Sequence, residues 1–147
     1  MDLYGAGPGL VGLAFRDIVA AMPHFDAAAM TALAAALSAG QAVPDDDLAK
    51  ACRDITARLA ARHPGATIEV RVPPYAAVQV GTTVRVGTTA GGPAHRRGTP
   101  PNVVEMAPAT IVKLAVGSLA WDDAVAGGLV QHSGAHAGDV AAMWPLD

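Results

Sequence analysis

Residues 44 to 72 read PDDDLAKACRDITARLAARHPGATIEVRV, and the hydrophobic period changes within this stretch. Up to Arg62 the apolar side chains recur at helical spacing on one face, formed by Leu48, Cys52, Ile55 and Leu59. After Pro64-Gly65, apolar and polar residues alternate from Thr67 to Val72, which is typical of a strand with one buried and one solvated face. A helix followed directly by a strand predicts an α+β fold in which helices cover a sheet.

Two further helices are predicted before this stretch. From Leu10 to Met22 apolar residues recur at helical spacing, and Pro23 ends the pattern. The second helix begins after Asp26, a residue type that caps helix N termini. It ends at Gly40, which suits a left-handed C-terminal position.

Strands and short helices are predicted after residues 44–72. The alternating or apolar runs that predict strands are Tyr75 to Val80, Thr83 to Val86, Asn102 to Met106 and Leu129 to Ser133. Pro108 at a first helical position opens a helix that Gly117 ends. A short helix from Trp121 to Ala126 and a helical turn from Asp139 to Met143 complete the chain. Since Ala107 precedes Pro108, the helix that Pro108 opens has no side chain that caps its N terminus. The missing cap costs about 1 kcal/mol of helix stability.

Composition and charge exclude several function classes. The chain is 52% hydrophobic but only 4% aromatic, so its core is made of small aliphatic groups. Thirteen acidic residues outnumber ten basic ones, and the formal net charge of −3 gives no general attraction for phosphate backbones or anionic membranes. We therefore expect no nucleic-acid partner.

We expect neither export nor membrane insertion. Asp2 stands where a signal peptide needs a basic residue, and no apolar run reaches the roughly 18 to 20 residues of a membrane-spanning helix. The single cysteine, Cys52, cannot form an intramolecular disulfide, which favours a reducing compartment. These features predict a soluble, cytoplasmic protein.

Three segments carry a resemblance to a known family. They are HRRGTPPNVVE at residues 95–105, LAVGSLAWDDAVAGG at residues 114–128 and RVPPYAAVQ at residues 71–79. With these segments the chain resembles the sterol-carrier-protein-2-like family, in particular its actinobacterial members. The resemblance covers roughly residues 45 to 146.

The resemblance implies a fold and a domain division. It implies one mixed β-sheet of about four to five strands, covered by helices on one side and preceded by an N-terminal helical segment. The whole chain, residues 1–147, would then be a single domain, with an N-terminal helical extension at 1–43 and a sterol-carrier-like core at 44–147. We find no internal repeat and no linker that would separate two domains.

The resemblance also implies a function, the non-catalytic binding and transport of a lipid, fatty-acyl or sterol-like molecule between sheet and C-terminal helices. The residues that it places along such a cavity are Val104, Ile111, Leu114, Trp121, Val125, Met143 and Trp144. Plain core packing explains these apolar residues equally well. Because family domains also occur fused behind acetyltransferases and maleylpyruvate isomerases, the alternative is an accessory or protein-interaction module with a filled core. The oligomeric state stays open.

A polar headgroup site is predicted in the loop that contains His95 and Arg97. A guanidinium and an imidazole at a pocket mouth can hold a carboxylate or a phosphate. The competing interpretation is that Arg96 and Arg97 are solvated and that His95 bonds within its own loop.

Other residue types suited to chemistry have structural explanations. Cys52 lies on the apolar stripe of its helix and is expected in the core. Asp45 to Asp47 suit the positive end of a helix dipole. His132 and His136 have helical spacing for a metal, but Gly134 between them indicates a turn. We therefore predict no enzyme, no metal and no cofactor.

Overall fold

The computed structural model describes residues 26–82 and 101–146. The helices are α1 (Ala27–Ser38), α2 (Asp45–Arg62), α3 (Pro108–Val116) and α4 (Trp121–Ala126), and a 3₁₀ helix spans Ala137–Met143. The strands are β1 (Ile68–Val72), β2 (Ala76–Val80), β3 (Val103–Met106) and β4 (Val130–Ser133). The predicted helix over residues 10–22, the predicted strand over residues 83–86 and most of the loop before Pro101 lie outside the described residues.

The helices before the sheet form where their sequence signals predict. The Asp26 carboxylate accepts a 2.9 Å hydrogen bond from the Ala29 N–H, which caps α1. Gly40 follows α1 with a φ of +73°, in the left-handed region. The three acids Asp45 to Asp47 occupy the first turn of α2 and Arg62 occupies its last, so both ends complement the helix dipole.

One mixed four-stranded sheet has the order β2-β1-β3-β4. β1 is antiparallel to β2 and parallel to β3, and β3 is antiparallel to β4. The α+β prediction with a mixed sheet is confirmed. α2 packs against β2 and α3, and α1 packs against α3. The buried side chains of α1 join the same cluster as those of the sheet.

The segment after β3 turns the chain back over the sheet. Ala107 provides no side-chain bond at the start of α3, as predicted, and Pro108 stands at the helix start. Gly117 ends α3 with a φ of +82°, which glycine adopts without the strain that a β-carbon brings. The 3₁₀ helix begins at Ala137, two residues before the predicted turn, and buries Val140 and Met143.

One buried amide joins three parts of the sheet. The Asn102 Nδ2–H donates to the Thr67 carbonyl at 3.0 Å, and Asn102 Oδ1 accepts from the His136 N–H at 2.9 Å. The Glu69 N–H donates to the Asn102 carbonyl at 3.0 Å. Asn102 therefore holds the start of β1, the start of β3 and the turn after β4 together.

The turn after β4 fits against this amide only as glycine. Gly134 has a φ of +106°, and a β-carbon there would overlap the Asn102 side chain and the Pro101 carbonyl. The close approach of the two chain segments thus requires a residue without a side chain.

We predict that Asn102→Ala lowers the free energy of unfolding by about 2 to 3 kcal/mol, because the Thr67 carbonyl loses its donor and the His136 N–H loses its acceptor. Urea unfolding followed by circular dichroism measures the change. Gln41→Ala, which truncates an exposed side-chain amide, is the control and leaves stability within about 0.5 kcal/mol. Equal stability of the two variants would contradict the role of Asn102.

Candidate functional site

The two faces of the sheet differ in character. The face toward the helices carries fully buried aliphatic side chains, namely Ile68, Val70, Val72, Val80 and Val104. The opposite face carries Glu69, Arg71, Glu105 and Gln131, each half-buried or exposed. Arg71 Nε lies 2.6 Å from Glu69 Oε2, and this hydrogen bond with the charge of Glu69 raises the pKa of Arg71. Among the described strand residues, the fully buried aliphatic side chains therefore lie on the helix-covered face.

The predicted lining residues divide into an inner and an outer group. Val104, Ile111 and Leu114 are fully buried, and Met143 is nearly so. Trp121, Val125 and Trp144 are half-buried and pack against the same core cluster. The structure thus brings the seven apolar residues into or beside one cluster, with three of them at its boundary.

The covered face opens at His132 in β4, whereas Val130, on the same face of this strand, is buried. Val104 and His132 are cross-strand partners, so both side chains lie on the same face of the sheet. Val104 is fully buried, yet His132 is exposed. The Trp121 ring lies beside it, with 6.4 Å between ring centroids and 39° between the ring planes. The helical layer therefore ends at the Trp121–His132 ring pair.

A second feature of this outer group is an unsatisfied donor. The Trp144 Nε1–H is buried and has no acceptor in the described part of the chain. Buried polar groups are almost always hydrogen-bonded in proteins, so an unpaired indole N–H calls for a partner.

Two surface hollows are lined entirely by described residues. One, of about 370 Å³, lies between the start of α3 and β4, next to Glu105, Pro108 and Leu129. The other, of about 200 Å³, lies where α1, α2 and α3 meet, next to Met30 and Ile55. None of the predicted lining residues borders either hollow. His95 and Arg97 lie outside the described residues, and their headgroup role stays a prediction.

The candidate metal and nucleophile residues have local explanations. The His136 Nδ1 lies 3.3 Å from Asp139 Oδ2, while His132 lies against Trp121. Across residues 26–82 and 101–146 no group of three or more His, Cys, Asp or Glu side chains is arranged to hold a metal ion. Cys52 is buried, as predicted, and this burial raises the pKa of its thiol to about 12.

His132 belongs to the boundary of the covered face, which the sequence alone does not indicate. Its spacing to His136 suggests half of a metal pair, whereas its position opposite Val104 places it at this boundary. The alternation in Val130 to Ser133 is the signal that places His132 on the same face as Val130. No sequence signal indicates that the Trp144 Nε1–H has no acceptor among the described residues.

Among the described helices, none has the length and apolar character needed to span a bilayer.

A family of known proteins matches most of this chain. The model of a family described as "Bacterial SCP ortholog" matches residues 44–146, which is more than half of the chain. A search of curated proteins finds no match. The matched region begins at α2 and contains the sheet, the Trp121–His132 ring pair and the C-terminal 3₁₀ helix.

We predict that the Cys52 thiol of the folded protein reacts with a thiol-disulfide reagent at pH 8 at least a hundredfold more slowly than that of the urea-unfolded protein. A rise in pKa from 9.0 to about 12 lowers the thiolate fraction about a thousandfold at this pH, and burial blocks access as well. The absorbance of the released leaving group measures the rate. Cys52→Ser, which removes the one thiol of the sequence, gives the blank. Equal rates for the folded and unfolded chain would show that Cys52 is accessible.

Proposed function

This chain belongs to the family of bacterial SCP orthologs, and from that membership we propose that it binds an apolar small molecule noncovalently. The ligand class is a lipid, a fatty-acyl chain or a sterol-like molecule. The proposed site lies between the sheet and the segment formed by α3, α4 and the 3₁₀ helix. The role is that of a carrier in lipid transport, without catalytic activity.

The opening of the covered face at β4 is the observation that carries this proposal. At the Val104–His132 pair the same face of the sheet changes from fully buried in β3 to exposed in β4, whereas at the neighbouring pair Val130 stays buried. The half-buried Trp121 and Val125 lie on α4, which packs against β4. An apolar chain entering at this boundary meets aliphatic core surface directly behind it.

The chemistry of the walls supports the ligand class. Each ligand CH₂ removed from water contributes about 0.8 kcal/mol, so a chain of six carbons supplies roughly 5 kcal/mol before ordering costs. The Trp144 Nε1–H, which has no acceptor among residues 26–82 and 101–146, offers one donor for a carbonyl, carboxyl or hydroxyl oxygen. A molecule with a long apolar body and a single polar end fits this combination.

The competing function is an accessory or protein-interaction module with a filled core. The observation that favours it is the complete burial of Val104, Ile111 and Leu114 by other side chains of the protein. For the carrier function, the half-buried outer side chains of Trp121 and Val125 move to admit the ligand while this inner group stays packed. The two functions therefore predict different effects of a larger side chain at Val125 on ligand binding and on stability.

Two further expectations accompany the carrier function. We propose that the chain acts in the cytoplasm, where a buried, unpaired Cys52 stays reduced. We also propose that α1 and the family region fold as one domain, because Met30 and Leu33 of α1 share their core cluster with β1 and α3.

We predict that Val125→Trp abolishes saturable binding of a fluorescent fatty-acyl probe, because the indole occupies the space that the ligand needs. Ala126→Trp, which places the same side chain at an exposed position of α4, keeps binding within about twofold. The emission of the probe is measured, so that the added tryptophan does not disturb the signal, and unlabelled fatty acid serves as the competitor.

Thermal unfolding of both variants separates the two functions. In a carrier the Val125→Trp variant loses probe binding with little change in melting temperature. In a filled core the same substitution overpacks, at a cost of about 1 to 3 kcal/mol. No saturable binding by the unmodified chain, together with strong destabilisation by Val125→Trp, would contradict the carrier function and favour the module.

A further inference from the structure

β4 forms one end of the sheet, and the register identifies which of its backbone groups face outward. The Glu69 N–H donates to the Asn102 carbonyl, so the even-numbered residues of β3 bond to β1. Val103 and Glu105 then bond to β4, where their partners are Ser133 and Gln131. The N–H and C=O groups of Val130 and His132 therefore point away from the sheet.

This outer edge has no backbone partner within the described ranges 26–82 and 101–146, where β4 pairs with β3 alone. Exposed edges are usually protected by charged side chains, by proline, by a bulge, by a covering element or by a very short strand, and of these β4 shows the short length, with four residues. Residues 127–138 read GGLVQHSGAHAG and contain no proline and no Asp, Glu, Lys or Arg. Each β4 residue opposes one residue of β3, so the strand has no bulge.

A large apolar side chain lies next to this edge. Leu129 directly precedes β4, and 48% of its surface is exposed. Among the described residues it is the one large hydrophobic residue that is exposed. An uncharged edge beside an exposed leucine is the pattern that adds a further strand.

We propose that β4 pairs antiparallel with β4 of a second copy of this chain, across a two-fold axis at Gln131. In this register Val130 of each copy lies opposite His132 of the other, and the two residues exchange both backbone hydrogen bonds. The four outward donors and acceptors of one edge are thereby satisfied by the same groups of the other. Leu129 lies opposite Ser133 of the second copy and becomes covered.

A second copy fits this edge better than a charged partner strand does. An isologous contact requires a surface that complements itself, and a neutral edge brings no like charges together across the axis. Residues 127–138 offer no side-chain charge with which a charged strand could pair. Because four residues bury far less than a standard interface, the dimer forms reversibly and dissociates on dilution.

A charge introduced at residue 131 tests this pairing. The two-fold axis places Gln131 of one copy directly opposite Gln131 of the other. Sedimentation equilibrium of the unmodified chain over a range of concentrations should show a monomer–dimer equilibrium. Gln131→Glu and Gln131→Lys should each weaken the dimer by up to about fivefold, because like charges directly opposite in a sheet are destabilising. An equimolar mixture of the two variants should restore the dimer, as a heterodimer.

Two controls separate repulsion across the axis from a folding defect. Glu105 is the β3 partner of Gln131, so the glutamate variant adds a like charge within its own sheet while the lysine variant adds an opposite one. Melting temperatures near that of the unmodified chain exclude misfolding, and Gln41→Glu makes the same change at an exposed loop position. A monomer at all concentrations, or a dimer insensitive to both Gln131 variants, would overturn the proposal. Lipid binding is not needed for either outcome.

Discussion

The double hydrogen bond of the Asn102 amide is the interaction on which the geometry of the sheet depends. It links Asn102 to Thr67, 35 positions earlier in the chain, and to His136, 34 positions later. β1 and β3 are parallel and have no hairpin to align them, so their register needs such a long-range link. The close approach of Gly134 to the same amide fixes where the chain leaves β4.

The position of β4 in turn determines both proposed sites. On its covered face, the register that pairs Val104 with His132 places the His132 ring beside Trp121 and leaves a boundary where an apolar ligand can enter. On its outer edge, the same register directs the backbone groups of Val130 and His132 outward. Ligand binding and self-pairing would therefore use neighbouring but different surfaces of one short strand, and both depend on Asn102.

Local signals predicted the elements, but not their arrangement. The stripe from Leu48 to Leu59 and the alternation from Thr67 to Val72 reflect the 3.6 and 2.0 periods of helix and strand, so α2 and β1 were predictable. The central position of β1 in the sheet follows from contacts between distant residues, which no local period encodes. For the same reason the sequence identified Trp121 and Val125 as wall candidates through a resemblance, but could not show that they lie at the boundary of the core while Ile111 and Leu114 lie inside it.

Photo-crosslinking with a diazirine-bearing fatty acid tests the carrier function most directly, because it reports where a ligand lies as well as whether it binds. The account predicts adducts on the α4 peptide that contains Trp121 and Val125 and on the peptide that contains Trp144, and predicts that unlabelled fatty acid suppresses both. Adducts that unlabelled fatty acid does not suppress, or suppressible adducts confined to the hollow where α1, α2 and α3 meet, would contradict it.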